Sequence, residues 1–552
     1  SVTVYASQYN AEASAWKAQA GTLTNGRNIL AVPKIGSQNT SRGGSLYLTY
    51  GGASPENISL HVRRAEDIPV LELSNWYKLD DTARRAAITA YAAELEAYVK
   101  KTGTVNKETN CLNVTEISMP AVLLSLPATA VLDNTGGAGY NREEQFYNSV
   151  LAWEDLMHIC KTTQGIDNTY ERNDMLTRQN IRCMQMFTGA FMYAAGEHIG
   201  IGYGSCGGMA GGLPISKMAE GAAANQLFGW GIAHEIGHNM DKLGKAEITN
   251  NIYAIMVQTY DGKNNTLESR LEKSGKYTGV FNKVAQQYPG ASNDVFVQLA
   301  MYWQLHLAYD GGDKPMDFYN QFFKAWKANT YTAGAQSYDD KVALTASGVA
   351  KKDLTEFFTR WGMQLSDGTK TTLAKLPKES KAIWYLNDNS RRDRLKGGTP
   401  VQLSGLTVKA DLANDKEVTL TISPTGGDLS RIQGYEIIRN GVPIAFTTEP
   451  AYKDIIGSGN HRTYSYEVVA YDILGNRAGS AKSNEVRVAY DQTVPAGDYT
   501  LARDGDKAVF TLENPTAVSG LKITGAPASG EFTVEVTVKN EKGEVKPYPA
   551  RT

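Results

Sequence analysis

Several things are scarce in this chain, and each scarcity excludes a class of protein. Its 4 cysteines, Cys111, Cys160, Cys183 and Cys206, are too few among 552 residues for a disulfide framework and lack the paired C-x-x-C spacing of a thiolate metal site. They read as small buried or unpaired hydrophobes. Charge of one sign is not in excess, with 56 Lys+Arg against 58 Asp+Glu, so no uniform field exists to hold a polyanion or an acidic membrane. That disfavours a nucleic-acid binder. The longest apolar run, about Pro120 to Leu132, is interrupted by Ser125 and Pro127 and is too short to span a bilayer, so no transmembrane helix is expected. The opening Ser1-Val2-Thr3-Val4 has neither an initiator Met nor a basic-then-apolar leader and reads as a trimmed or recombinant fragment. Repeats and low-complexity segments are absent.

The apolar share, 42%, is ordinary for globular protein, and the length suits three to five domains at roughly 100–200 residues each. Residues 1–76 alternate short apolar runs such as Ser45–Tyr50 and Ile58–Val62 with Gly, Asn and Ser clusters, a pattern that predicts a β-sandwich. Residues 77–397 form the next region, a mainly helical α+β domain. Its helices are expected over Asp80–Lys101, Glu143–Lys161, Leu227–Met240, Glu247–Tyr260, Leu267–Gln287, Asn293–Tyr309, Phe318–Ala328 and Leu354–Gly362, broken by strand-like Val114–Leu132 and the Gly-rich run Gly200–Gly212. Residues 398–490 return to short β-rich runs, with Asn440-Gly441 between two of them, the dipeptide a tight type I′ hairpin requires. This resembles a fibronectin type III or similar immunoglobulin-like sandwich. Residues 491–552 look like another β unit, cut short by the fragment's end.

The stretch that carries chemistry is Trp230-Gly231-Ile232-Ala233-His234-Glu235-Ile236-Gly237-His238-Asn239-Met240-Asp241. On a helix, residues four apart share a face, so His234 and His238 can present two imidazoles to one zinc ion while Glu235 flanks it as general base. With 7 His in the chain, this spacing would arise by chance in roughly one of 200 such sequences. A third ligand must come from elsewhere, and the best placed is Glu247, with Gly244 positioned to end the first helix and turn the chain. Asn251, one helical turn beyond, is expected to orient a ligating histidine by a hydrogen bond. The competing structural reading is an amphipathic core helix with two satisfied histidines and a surface Glu. Gly237 between the histidines suits close packing against a neighbouring helix.

Written out, W-G-x-x-H-E-x-G-H-N followed eight residues later by E-x-T-N-N, the run Trp230–Asn251 resembles the enhancin-like, mucin-degrading metallopeptidases of the M60 family, which are gluzincins. The resemblance extends more loosely from the N-terminal β region to about Asp388. It implies a gluzincin catalytic domain that binds one Zn²⁺ through His234, His238 and Glu247, with Glu235 catalytic. It also implies peptide-bond cleavage in glycoproteins, notably mucins of host or diet, beside an O-glycosylated Ser or Thr, by a secreted or cell-surface enzyme. The C-terminal sandwich would be an accessory module of such proteins. The segment Gly200–Gly212 is more Gly-rich than the family pattern leads one to expect, so substrate contacts there do not transfer directly.

Candidate substrate contacts are Tyr203, Gly207, Gly208, Trp230 and His198. The glycines, with Gly211, either let a backbone approach closely and leave room for bulky substituents or form a mobile or tightly turned surface loop. His198 and Tyr203 precede the zinc helix and are weighed as substrate or oxyanion contacts against a structural role. Trp230 either packs on the ligand helix or stacks on a sugar face, packing being favoured. His306 reads as a core histidine, and His61, His158 and His461 as structural or surface residues. The cluster Arg391-Arg392-Asp393-Arg394 reads as a solvated linker face. Two other functions stand against the peptidase: a glycan-binding or adhesive protein with an inactive or structural zinc site, and a zinc hydrolase of another amide. The intact Glu235 argues against the former, since a closed structural site has no use for a base beside an open position.

Overall fold

The computed structural model describes the chain from Ser1 to Tyr548 apart from residues 9–14, 34, 36–43, 53–57, 105–106, 108–109, 138, 171–176, 219–225, 263–265, 311–315, 415–416, 457–461, 489–498, 506, 513–535 and 540–544. The chain divides into two compact units, residues 1–399 with 473–475, and residues 400–472 with 476–552.

In the first unit, β1 (Val2–Ser7) pairs antiparallel with β2 (Lys17–Leu23) on one side and β3 (Leu46–Tyr50) on the other. The sandwich expected for residues 1–76 is thus, among the described residues, one three-stranded sheet. β4 (Val70–Glu72) leaves it for a six-stranded sheet, because its backbone pairs in parallel with β5 (Thr115–Ser118) and Leu71 is buried there. That sheet continues with β6 (Val122–Leu126), β7 (Gln179–Cys183), β8 (Met192–Ala194) and β9 (Ile199–Ile201), in the order β4-β5-β6-β7-β9-β8. Nearly every residue of β5, β6 and β7 is buried, as expected of central strands covered on both faces. β8 is the edge, antiparallel to β9.

Helices fill the rest of this unit: α1 (Asp81–Thr102), α2 (Ala128–Asp133), α3 (Arg142–Thr163), α4 (Tyr203–Cys206), α5 (Gly231–Met240), α6 (Asn251–Thr259), α7 (Arg270–Lys273), α8 (Tyr277–Gln286), α9 (Val295–Tyr309), α10 (Asp317–Ala328), α11 (Tyr338–Ala350), α12 (Thr355–Arg360), α13 (Asp367–Leu373) and α14 (Asp388–Leu395). The long ones start on side-chain caps. Asp80 accepts from the Ala83 amide, Asn141 from Glu144 and Asp294 from Phe296 and Val297, each satisfying donors that a first turn leaves orphaned.

One expectation is overturned here. The Arg391–Arg394 cluster lies within α14, and Arg391 is fully buried. It donates to His306 Nε2 at 2.9 Å, which fixes the imidazole proton on Nδ1, facing Asp310 Oδ2 at 2.7 Å. Arg392 pairs with Glu272, and Arg394 donates to the carbonyls of Leu307 and Ala308 at 2.8 Å, satisfying the C-terminal end of α9. The arginines therefore brace helices, and His306 is the core histidine anticipated.

His158 on α3 is half-buried, its ring stacked 4.4 Å from Tyr170. Burial, helped by the charge of Lys161, holds its pKa down at about 4. An unfolded histidine takes up its proton near pH 6.5, so the folded state loses stability as pH falls from 6.5 towards 4. The loss is up to about 1.4 kcal/mol per pH unit. Urea midpoints at pH 7 and 4.5 should differ less in His158→Phe than in the parent chain.

The second unit contains β10 (Gly405–Asn414), β11 (Glu417–Thr425), β12 (Ile432–Arg439), β13 (Val442–Thr447), β14 (Ala451–Ile455), β15 (Arg462–Tyr464), β16 (Tyr466–Asp472), β17 (Arg477–Lys482) and β18 (Val486–Val488). β10-β11-β14 and β13-β12-β16-β17 are separate sheets. Val418, Leu420 and Ile422 of one share a core with Ile437, Val468 and Ala470 of the other. Asn440 and Gly441, with φ of 48° and 82°, make the two-residue β12–β13 turn that the sequence predicts. Two further hairpins occupy the described part of 499–548, and His461 lies outside the described residues.

Candidate metal centre

α5 begins at Gly231 without a side-chain cap, its first interior bond running from the His234 amide to the Trp230 carbonyl. Its C-terminal end is held by partners from other helices: the Met240 carbonyl accepts from Gln164 Nε2 at 2.5 Å and from the Tyr253 hydroxyl at 3.3 Å. Asn239 Nδ2 reaches Gln179 Oε1 on β7 at 3.0 Å, tying the helix to the sheet. The helix that carries both histidines is thereby fixed at its end and along its side.

Beyond Met240 the chain reverses around one carboxylate. Asp241 accepts from the amides of Leu243 and Gly244 at 2.9 Å and from the Thr249 hydroxyl at 2.6 Å. Gly244 takes a φ of 77° and Glu247 a φ of 64°. α6 starts only at Asn251, so the helix expected from Glu247 is four residues shorter, and Glu247 projects from a turn rather than a helical face. A non-glycine residue in the left-handed region costs energy and persists where neighbours determine it. Here Asn251 Nδ2 donates to the Glu247 carbonyl at 2.7 Å.

The result brings three side chains to one point. His234 Nε2 and His238 Nε2 are 3.2 Å apart, His238 Nε2 is 3.1 Å from Glu247 Oε1, and His234 Nε2 is 3.5 Å from Glu247 Oε2. A tetrahedral ion with ligands at ~2.0–2.1 Å separates them by about 3.4 Å, so this triangle has the edge lengths such an ion needs. Among the described residues it is the one group of three or more His, Cys, Asp or Glu with ligand atoms so converged. Since the Asn251 amide nitrogen is committed to Glu247, its Oδ1 faces His234 Nδ1 at 2.6 Å and accepts that proton, leaving Nε2 with a lone pair for the metal.

Glu235 is buried beside this triangle, 7% exposed. Burial raises its pKa, with the Glu247 carboxylate adding to the rise and His234 opposing it, while burial lowers that of His238. Asn250, which the sequence reading passed over, is as close. Its Nδ2 lies 3.2 Å from His238 Nε2. A Cβ on Gly237 would stand 2.1 Å from the Asn250 carbonyl oxygen, so α5 and the chain before α6 touch backbone to backbone. The adjacent Asn-Asn pair was the available signal. Asn251→Ala should weaken metal binding by about 10–100-fold, measured by competition with a chromogenic chelator, with little change in fold.

The remaining candidates lie elsewhere. Tyr203 lines a cavity of about 470 Å³ together with Cys183, Met186, Phe191 and Gly202, and its hydroxyl meets Thr129 at 2.9 Å. Gly207 is buried where a Cβ would strike Asn134, which accounts for the glycine by packing, and Gly208 is half-buried next to it. His198 is buried with Nε2 2.7 Å from the Tyr193 hydroxyl and its ring 5.9 Å from Trp16, within the contact between the N-terminal and six-stranded sheets. Trp230 packs edge-on to Phe296 at 5.9 Å under the guanidinium of Arg270 at 4.8 Å.

Residues 135–362 match the family described as Peptidase M60, enhancin and enhancin-like. Among solved structures, the fold is similar to the M60 catalytic domain of ZmpC from Clostridium perfringens in complex with the sialyl T antigen, at TM-score 0.62 and 24% identity, over 88% of this chain and 90% of that one. It is similar to the ZmpB metallopeptidase of the same organism at the same values. A metallopeptidase from Bacteroides thetaiotaomicron gives TM-score 0.52 at 18% identity, over 86% of this chain and 80% of that one. An alpha-amylase from Niallia circulans is 28% identical over 138 residues, which are 24% of this chain and 10% of that protein.

Proposed function

The segment 135–362 makes this chain an enhancin-like M60 metallopeptidase, and on that premise we propose that it is a zinc endopeptidase cleaving glycoproteins of O-glycosylated, mucin type. The observation that carries the reading is the triangle of His234, His238 and Glu247 beside a buried Glu235. His234, His238 and Glu247 hold the ion, and Asn251 keeps His234 in the tautomer that can ligate. Zinc bound there supplies Lewis acidity, polarising a carbonyl and lowering the pKa of water towards neutrality. Glu235 takes the proton from the attacking water and delivers it to the leaving amine. Its burial suits this shuttle, since desolvation raises the carboxyl pKa and makes the carboxylate a stronger base. The sialyl T antigen held by the similar ZmpC domain supports a substrate that carries glycan.

The two-sheet unit fits a fibronectin III-like accessory module, and 77–397 is the proposed catalytic domain. Among the described residues no helix is long and apolar enough to cross a membrane, which is compatible with action outside the cell on host or dietary mucins. The test is cleavage of a mucin-type O-glycoprotein before and after enzymatic removal of its O-glycans, with metal content measured alongside. Cleavage of the glycosylated form alone is expected. Equal cleavage of both forms would remove glycan from the specificity. No cleavage by a metal-loaded chain that still binds glycan would favour an adhesive role.

A further inference from the structure

Outside the metal centre, two thiols meet at the end of the six-stranded sheet. Cys183 is the last residue of β7, and its Cα partner on the neighbouring parallel strand is Ile201. The chain leaves β9 through Gly202 and makes the single turn of α4, which brings Cys206 back over that strand end. The Cys206 thiol donates to the Gly202 carbonyl at 3.4 Å and interacts directly with Cys183. Both thiols are free. Their surroundings differ. Cys206 is fully buried, whereas Cys183 is half-buried and lines the cavity of about 470 Å³ with Met184, Met186, Phe191 and Tyr203. A disulfide spans Cα separations of ~4.4–6.8 Å, which is on the scale of the ~4.8 Å between adjacent strands.

We propose that Cys183 and Cys206 are a dithiol redox site, in which Cys183 reacts through the cavity with a small-molecule disulfide and Cys206 closes the bond from behind. The Cys183 thiolate attacks one sulfur of the small disulfide, whose S–S bond breaks and releases one thiol. Cys206, losing its proton, then attacks the Cys183 sulfur of the mixed disulfide and releases the second thiol. Two electrons pass from the protein to the small molecule, which leaves as two thiols carrying both protons. The hydrogen bond with Cys183, with burial adding to it, raises the pKa of Cys206 well above that of an ordinary thiol, so the first attack falls to the half-buried Cys183 and closure is the slower step. The bond would brace the segment around Gly202, whose amide donates to the Phe191 carbonyl at the foot of β8. The site stands apart from the peptidase chemistry.

The experiment treats the full chain with oxidised glutathione at pH 8, quenches with acid and an alkylating reagent, and maps thiols by mass spectrometry. A Cys111→Ser background removes the one exposed cysteine. The expected product lacks two hydrogens, links the Cys183 and Cys206 peptides, and raises Tm by roughly 5 °C in a dithiothreitol-reversible manner. Cys206→Ser should trap one glutathionyl group on Cys183, and in Cys183→Ser modification of Cys206 should be at least tenfold slower. Two free thiols at Cys183 and Cys206 under all oxidant ratios, or equal reactivity of the two single variants, would overturn the proposal. If Cys206→Ser fails to fold, the map of the Cys111→Ser chain decides alone.

Discussion

Replacing Glu235 by Gln is expected to lower kcat by about 10³-fold or more while leaving one metal ion bound per chain. The substitution keeps the side chain's size and its buried position on α5. It removes the capacity to hold a proton, which is the step assigned to this residue and to no other. The ion's three partners, His234, His238 and Glu247, keep their atoms unchanged, so the metal should remain. Steady-state cleavage of an O-glycoprotein, with metal content of the same samples by plasma emission, checks both halves. Activity within tenfold of the parent would remove Glu235 as the base. Loss of metal together with activity would make it part of the ion's support instead.

The second large effect is expected at a residue with no side chain. Gly237→Ala places a methyl 2.1 Å from the Asn250 carbonyl oxygen and 2.9 Å from its carbonyl carbon. Neither atom is the end of a flexible side chain, so α5 and the backbone before α6 must separate. Overpacking of this kind costs ~3 kcal/mol or more at the upper end of its range. In a unit of this size, residues 1–399 with 473–475, that lowers Tm by roughly 3–5 °C. Because the same contact sets the distance between His238 and the turn bearing Glu247, metal affinity should fall with stability. Gly368→Ala is the contrast. Gly368 lies in α13, nothing stands within 4 Å of a Cβ there, and the alanine should stabilise the chain by ~0.5–1 kcal/mol. Differential scanning calorimetry of both variants tests whether the glycine is required by contact or merely tolerated.

The sequence disclosed the centre where chemistry depends on local spacing. His234 and His238 share a face because four residues make about one turn, and the structure puts their Nε2 atoms 3.2 Å apart. Glu247 was found by its distance along the chain, but its conformation was not legible. The reversal depends on one Asp241 carboxylate collecting Leu243, Gly244 and Thr249, and a count of residues does not register who accepts from whom. Asn250 escaped for a related reason, since part of its weight, the carbonyl against Gly237, lies in a backbone group that any residue would carry. The arginines of α14 were misjudged through composition. Four charges in a row suggest solvent, yet His306, Glu272 and the carbonyl end of α9 take up the three arginines among them. Helices with strong caps, such as α1 after Asp80 and α9 after Asp294, came within two residues of their expected starts.

The brevity of β8 has its own consequence. Its three residues pair with β9 so that the Phe191 carbonyl and the Ala195 amide point inward, to Gly202 and His198. Alternation then turns only the amides and carbonyls of Met192 and Ala194 towards the open edge. A peptide laid along that edge meets at most four main-chain partners, each worth ~0.5–1.5 kcal/mol net. Such a grip, even complete, corresponds to dissociation constants no tighter than roughly tens of micromolar. For the proposed peptidase, a peptide laid on so short an edge would take most of its hold from side chains or attached groups rather than from bare backbone.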